Sequence, residues 1–467
     1  MNNYNSYLAQ FRRKLPLGES FDVLERKFSI GGRDTTMFFV DGLTAGPVVQ
    51  LVMSFLLAVP PTAMEKAETA KHFIKSHMPF LDTITEAEVD KAIKHCYAGL
   101  LPLIIDGYDE IIVIDIRQYP ARGVEEPSKE KSLRGPKDGF TETLMTNVAL
   151  IRRRLRDNRL IFKAFVVGKM SKTDVCLVYM KGEADQKVVD KLTHDLDQLK
   201  LNTTTVGEQT IVEAISKSQK KQNWINPFPK VRYTQRPDVI SAHISEGKVA
   251  IIVDNSPTVI LLPAGIFDFV QDVDDYYFPV ITGNYFRLLR TANTLVILFL
   301  TPLYLLVGEG YIPPPVSVDF FIPTEPFAIP LFWQLMLLEL AVDGLKLASL
   351  NTPDSLGMSL SVIGALILGE FSITSGWFIP QTILCMAVVA LASFTQPSIE
   401  LGYGMKFMRV LILIGAFSFG LWGAAVGLLI GLTVLATTKT LVNRSYLYPL
   451  IPWDKKALKR LMFRNKI

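Results

Sequence analysis

The residues best suited to chemistry lie in a few places. Arg134-Gly135-Pro136-Lys137-Asp138-Gly139-Phe140 has the glycines of an anion-cradling loop, and Arg152, Arg153, Arg154 and Arg156 in "RRRLR" have the charge density of a contact surface. A P-loop sets Lys-Ser/Thr directly after its second glycine, so that backbone N–H groups, an ammonium and a hydroxyl meet phosphates and Mg²⁺. Here Gly139 is followed by Phe140 and Thr141, and the three-glycine dinucleotide pattern is absent too. Nucleotide binding is therefore not expected. A formal charge of +4 over 467 residues is also too small for a nucleic-acid binder of this length. Cys96, Cys176 and Cys385 are far apart and odd in number, and they read as buried thiols in a reducing compartment. The five histidines are scattered, with no Ser/His/Asp or metal-ligand spacing. No enzyme, cofactor or metal site is expected.

The remaining candidates lie in apolar surroundings. Glu339 and Asp343 are one turn apart in "LMLLELAVDGLKLAS", and Glu370 closes "IGALILGE". Intramembrane carboxylates are costly, and they usually face a bundle interior or a water-filled path. Asp343 and Lys346, three residues apart, can neutralise each other, and for Asp343 that is the favoured reading. For Glu339 and Glu370, path and internal pairing stay open. Gly357, Ser361, Ala365 and Gly369 recur every four residues, as do Gly423, Gly427 and Gly431. Small residues at this spacing let helices approach closely, within one subunit or between subunits.

The elements that must position these residues divide into two classes. The mean hydropathy is +0.27 although 20% of residues are charged. Charged residues crowd 1–290 and apolar runs fill 291–440, so a soluble region is joined to a membrane region. The expected fold is an α/β cytosolic N-terminal region of two subdomains followed by an all-α multi-span membrane domain. Its parts are an N-terminal segment (1–35), subdomain 1 (36–125), subdomain 2 (131–280), a transmembrane domain (285–442) and a basic C-terminal tail (443–467), with a linker near 122–132. "MNNYNSYLAQFRRKLPLGES" lacks the apolar stretch of a secretory signal.

In the soluble part, "LPLIIDGYDEIIVIDI" predicts a hairpin turning near Asp106-Gly107, with a strand over Ile111 to Ile116. "IFKAFVVG" and "DVCLVYM" predict a second pair, followed by a charged helix from about Asp185 to Leu199. "RPDVISAHISEGKVAIIVDNSPTVILLP" predicts a helix, a strand, an Asn255-Ser256-Pro257 turn and a strand. Phe140, Leu144, Val148, Ile151 and Leu155 recur at steps of four, four, three and four, one face of an amphipathic helix capped by Asp138 or Thr141. The four arginines fall off this stripe, near the helix C-terminus where the dipole favours cations. They are expected to be displayed as a protein contact.

The expected spans are Thr291–Val307, Ile329–Ala348, Leu356–Gly376, Phe378–Phe394, Phe407–Trp422 and Ala424–Thr437, the second of which could instead lie in the interface. Arg287, Arg290, Lys346, Lys406, Arg409 and the basic tail mark one side, and the loops around Pro313–Pro315 and Trp377 carry no Lys or Arg. Six crossings with both termini cytosolic fit this distribution.

The chain resembles the A subunits of bacterial spore germinant receptors over nearly its whole length. The soluble stretches that carry the resemblance are "RGPKDGFTETLMTNVALIRRRLRDNRL", "GKMSKTDVCLVYMKGEAD" and "RPDVISAHISEGKVAIIVDNSPTVILLP". In the membrane part they are "YYFPVITGNYFRLLR" and "SLSVIGALILGEFSITSGWFIP". "GYDEIIVIDIRQYPARGVEEP", "SFTQPSIELGYGMKFMRVL" and "YLYPLIPWDKKALKRLMF" point to one branch of that family. The resemblance implies a spore inner-membrane protein acting in germination, a homo-oligomeric ring of five subunits forming an ion channel, and amplified ion release after germinant sensing. It also implies a small membrane partner and other germination proteins as partners, while the apolar spans imply membrane lipid and the small net charge no nucleic acid. It supplies no catalytic residues. On this reading Glu339 and Glu370, with Glu309, Asp319 and Glu325 outside, favour monovalent cations. The alternative is a non-conducting scaffold or receptor subunit that clusters germination proteins. A transporter would show an internal repeat with matched broken helices, and none is visible beyond the small-residue stripes.

Overall fold

The computed structural model describes residues 3–78, 82–118, 126, 134–203, 207–218, 226–272, 274–313, 328–351, 372–455 and 458. The chain forms two compact units, Met1–Gln222 with Val231–Pro263, and Asn223–Lys230 with Ala264–Ile467.

The first half of the first unit contains α1 (Asn3–Lys14), β1 (Val23–Ile30), β2 (Arg33–Val40), α2 (Gly46–Leu57), α3 (Pro61–Lys66), α4 (Ala70–His77), β3 (Thr83–Glu86), α5 (Val89–Tyr97), β4 (Leu101–Ile105) and β5 (Ile111–Ile114). The second half contains α6 (Leu144–Arg154), β6 (Leu160–Val167), β7 (Thr173–Met180), α7 (Gln186–Asp197), α8 (Gly207–Ser218), β8 (Arg232–Thr234), α9 (Pro237–Ser245), β9 (Val249–Val253) and β10 (Val259–Leu262). Each half holds a five-stranded antiparallel sheet, ordered β1-β2-β4-β5-β3 and β6-β7-β9-β10-β8. The two orders are one topology written twice.

Local chemistry repeats with it. Gly42 and Gly182 follow the first hairpins at φ +80 and +89, and Gly99 and Gly247 both stand at φ +89 before β4 and β9. A Cβ on Gly99 would meet the Leu43 carbonyl at 2.8 Å, and one on Gly247 the Glu183 carbonyl at 2.5 Å, so each helix-to-strand turn needs glycine for space as well as for φ. The Asp106 N–H donates to Asp34 O at 2.8 Å, and the Asp254 N–H to Asp174 O at 3.0 Å.

Strands β4, β5, β9 and β10 are buried on both faces, which is why they read as unbroken apolar runs. In the first half, one sheet face packs Phe38, Ile104 and Val113 against Phe11 and Ile93, and the other packs Leu103, Ile105 and Ile112 against Leu56 and Phe73. The expected hairpin at Asp106-Gly107 is present, although its second strand stops at Ile114. The 1–35 segment is not separate: α1 and the β1–β2 hairpin build the first sheet and its core.

The second unit is helical, with α10 (Asp274–Tyr277), α11 (Val280–Gly308), α12 (Leu331–Asn351), α13 (Ser372–Thr374), α14 (Pro380–Phe394) and α15 (Ile399–Thr437) among its described residues. Of these, α11 and α15 are long and apolar enough to cross a membrane. α15 is an antiparallel pair of helices broken at Phe419 and Gly420, where Gly420 takes φ +59. The break falls before the expected boundary near Gly423 because only glycine tolerates that backbone, and a Cβ there would also strike the Tyr311 ring at 2.6 Å.

Two boundaries move. Ile266 and Phe269 belong to the helical core with Tyr446, so residues 264–280 leave the expected subdomain 2. Tyr446 is fully buried against Phe228 and Phe269, and its carbonyl accepts the Ile266 N–H at 3.0 Å. The start of the expected 443–467 tail is therefore core. Of the expected third span, 356–371 lies outside the described residues, and with it Gly357, Ser361, Ala365, Gly369 and Glu370; Asp319 and Glu325 lie outside them too.

Candidate functional site

Helix α6 is embedded rather than displayed. Its buried residues include Asn147, Ala149, Leu150 and Arg152 as well as the expected stripe. Phe140 precedes the helix, and Leu155, just beyond it, is half-buried. At the helix N-terminus Thr141 Oγ1 accepts the Thr143 N–H at 3.3 Å, Asp254 Oδ1 accepts the Leu144 N–H at 2.9 Å, and Asn147 Oδ1 accepts the Thr141 N–H at 2.8 Å. Asp138 instead receives Arg154 Nη2 at 2.5 and 2.6 Å.

The largest departure is Arg152, expected on the outside. It is fully buried and doubly bonded to Asp22, with Nε to Oδ2 at 3.0 Å and Nη2 to Oδ2 at 2.9 Å. Its remaining donors reach Asp157 O at 3.2 Å and Leu160 O at 3.1 Å. The guanidinium lies over Tyr97 at 5.1 Å and Phe162 at 4.8 Å. Asp22 precedes β1, so this pair joins the two halves of the first unit. The Phe21 N–H to Phe162 O bond at 3.0 Å reinforces the join. Burial beside this pair pushes the Cys96 thiol up to about 12 and raises Cys176 as well. Arg153 and Arg156 are exposed.

A second charge cluster lies inside the helical unit. Glu339 of α12 is buried, with Oε1 2.5 Å from Arg409 Nη2 and Oε2 3.2 Å from Lys406 Nζ, both on α15. Lys406 also pairs with Asp343, and Arg409 Nη1 donates to Ile297 O of α11 at 2.9 Å. Asp343 thus finds its short-range partner across the bundle, in place of the expected Lys346. Lys346 donates to Ser393 Oγ of α14 at 3.2 Å and lies 5.3 Å from the Phe394 ring. Glu339, expected to attract cations, and Asp343, expected to be internally paired, are both matched by Lys406 and Arg409. Sequence spacing cannot reveal a pairing between residues 339 and 409. Arg287 and Arg290, expected as flanking charges, are likewise buried, and both bind Asp275. Glu309 is exposed beyond α11.

The glycines Gly423, Gly427 and Gly431 lie on the second arm of α15, facing its first arm. A Cβ on Gly423 would fall 1.9 Å from Gly415 O, one on Gly427 2.9 Å from Ile412 Cα, and one on Gly431 2.7 Å from Met408 Cγ. Backbone meets backbone at the first two positions. No group of three or more His, Cys, Asp or Glu side chains able to hold a metal occurs among the described residues.

The sequence profile of one family, described as Bacillus/Clostridium GerA spore germination protein, matches residues 11–467. The chain belongs to the GerA spore germination protein family. It is 32% identical to stage V sporulation protein AF of Bacillus subtilis over 97% of this chain and 91% of that protein. It is 26% identical to spore germination protein KA of the same organism over 97% of this chain and 82% of that protein. A solved structure, the N-terminal domain of the A subunit of the Bacillus megaterium spore germinant receptor GerK3, covers 55% of this chain and 93% of its own length at 23% identity and a TM-score of 0.38, too distant to carry argument. Family membership and two helices of membrane-crossing length associate the chain with a spore membrane.

Proposed function

We propose that the chain is a subunit of an oligomeric channel of the spore inner membrane, passing monovalent cations and amplifying ion release after germinant sensing. The observation that supports this most is the position of the Glu339–Arg409–Lys406–Asp343 cluster. Tyr311, Trp333, Trp377, Phe419 and Trp422 are exposed at one end of the bundle, the aromatic residues expected at a membrane–water boundary. At about 1.5 Å per residue, Arg409 lies about 15 Å along its helix from Phe419, half of a hydrocarbon layer about 30 Å thick. Charge at that depth is costly and marks function more often than anchoring.

Because Glu339 and Asp343 are paired, they act in this reading as a closed gate rather than a bare acidic ring. A ring of five subunits, six crossings, cytosolic termini and a small membrane partner belong to the same proposal. The test is potassium flux from vesicles carrying the full-length chain. A potassium-selective current that Glu339→Gln enlarges is expected, and no flux under any gradient would sink the channel.

One observation favours a scaffold. Helix α2 has no charged residue and leaves Leu51, Phe55 and Leu57 about half exposed, at 49, 48 and 56%. Such a face suits a protein contact, and flux-free vesicles together with lost germination after Phe55→Glu would support clustering instead.

A further inference from the structure

The polar groups of the helical unit do not stop at the cluster. On α11, Arg290, Thr294, the Ile297 carbonyl, Thr301 and Tyr304 recur at steps of four, three, four and three, one face of the helix. Each meets a polar group from a neighbouring helix or from the turn at Gln396, or stays unpaired. Gln396 Nε2 donates to Thr294 Oγ1 at 3.1 Å and to Arg290 O at 3.3 Å; Arg409 takes Ile297 O; and the Tyr304 hydroxyl lies 3.2 Å from Thr382 Oγ1 of α14.

Thr301 is the exception on this helix. Thr291 and Thr294 turn their hydroxyls back to the carbonyls four residues earlier, each at 2.9 Å. The Thr301 hydroxyl is fully buried and bonds nothing. Arg409, 4% exposed, has an unbonded Nε, and Gln396 has an unbonded, buried Oε1. Pro302, next to Thr301, also removes the N–H that would bond the Leu298 carbonyl. Buried polar atoms without protein partners are ordinarily met by internal water.

We propose that these groups line a water-holding polar file inside a single subunit, closed at mid-depth by the Glu339–Arg409–Lys406–Asp343 cluster, with water and small monovalent cations as the species it admits. This rests on the reading that the helical unit spans a membrane, but not on an axial pore between subunits. Opening requires only that Glu339 and Asp343 leave Arg409 and Lys406, which frees two carboxylates toward the file.

Two adjacent residues of α14 give the test. Cys385 is fully buried within the charge field of Arg409 and Glu339, whereas its neighbour Leu384 is 50% exposed on the outside of the bundle at the same depth. The full-length chain in lipid vesicles is treated with a small, charged methanethiosulfonate, and modification of Cys385 is followed by peptide mass. Slow labelling is expected in the unaltered chain, with at least a ten-fold faster rate after Glu339→Gln. Asp343→Asn, on a more exposed carboxylate, repeats the measurement should Glu339→Gln fail to reach the membrane. A cysteine introduced by Leu384→Cys is expected to stay unreactive throughout, shielded by lipid. Equal Cys385 rates with and without the cluster carboxylates, at a shielded position 384, overturn the file while leaving the membrane reading intact. Rapid labelling at position 384 overturns both.

Discussion

Arg152 joins the two halves of the first unit, so its substitution is expected to act on stability. Removing one member of a fully buried ion pair leaves the other charge without its counter-ion, and Arg152→Ala should cost about 3–5 kcal/mol. The exposed Arg153 should lose within about 0.5 kcal/mol on the same change. Denaturant midpoints of the full-length chain check the contrast. If the two substitutions are equivalent, the buried pair does not hold the halves together. Cys96 adds a pH dependence. Its folded thiol is held up to about 12, above the ordinary thiol value of about 8.5, so the folded state keeps its proton longer. The stabilisation is complete below the ordinary value and is lost as pH rises toward 12, a fall that Cys96→Ala should reduce in melts between pH 8 and 11. The periodicity of α6 was legible, but Arg152 was not. A stripe locates the nearest apolar layer, whereas Ala149 on another side of the same helix packs into the first-half core.

At the scale of elements, the α15 hairpin depends on atoms that glycine lacks. Gly423→Ala would push a methyl group into the Gly415 carbonyl, and overpacking of this kind typically costs about 1–3 kcal/mol. Gly402→Ala on the same helix meets nothing within 4 Å, and it should be neutral or slightly favourable through helix propensity. The level of folded protein in membranes measures both, and equal losses would contradict close packing of the arms. The small-residue spacing indicated close packing without naming the partner, which the turn at Gly420 supplies by returning the chain on itself. Hairpins at β4–β5, β6–β7 and β9–β10 were readable because turn residues separate apolar runs. Strand β1 was missed, since "VLERKFSI" is an edge strand carrying exposed charges that blunt its apolar pattern.

At the scale of the molecule, the pairing of α12 with α15 predicts a rescue. Glu339→Arg alone should set three cations together and lower the amount of membrane-inserted protein several-fold. Glu339→Arg combined with Arg409→Glu should recover most of it, since the pair is restored in reverse. Quantitative immunoblots of membranes decide, and absence of rescue would mean that the cluster does not hold these helices together. The shared topology of the two halves left faint traces in the chain, "FRRKL" beside "IRRRL" and "LIIDG" beside "AIIVDN". Side-chain identity drifted between the halves, while the glycines at positive φ kept their places. By itself the sequence determined the properties set by local order: the change from charged to apolar composition, the turns, the helical and strand periods, and the family. All of these depend on residues near one another in the chain. Only the tertiary structure decided which charges face which, Arg152 with Asp22 and Glu339 with Arg409. Those pairings join residues 130 and 70 positions apart, and burial energy, not spacing, selects them.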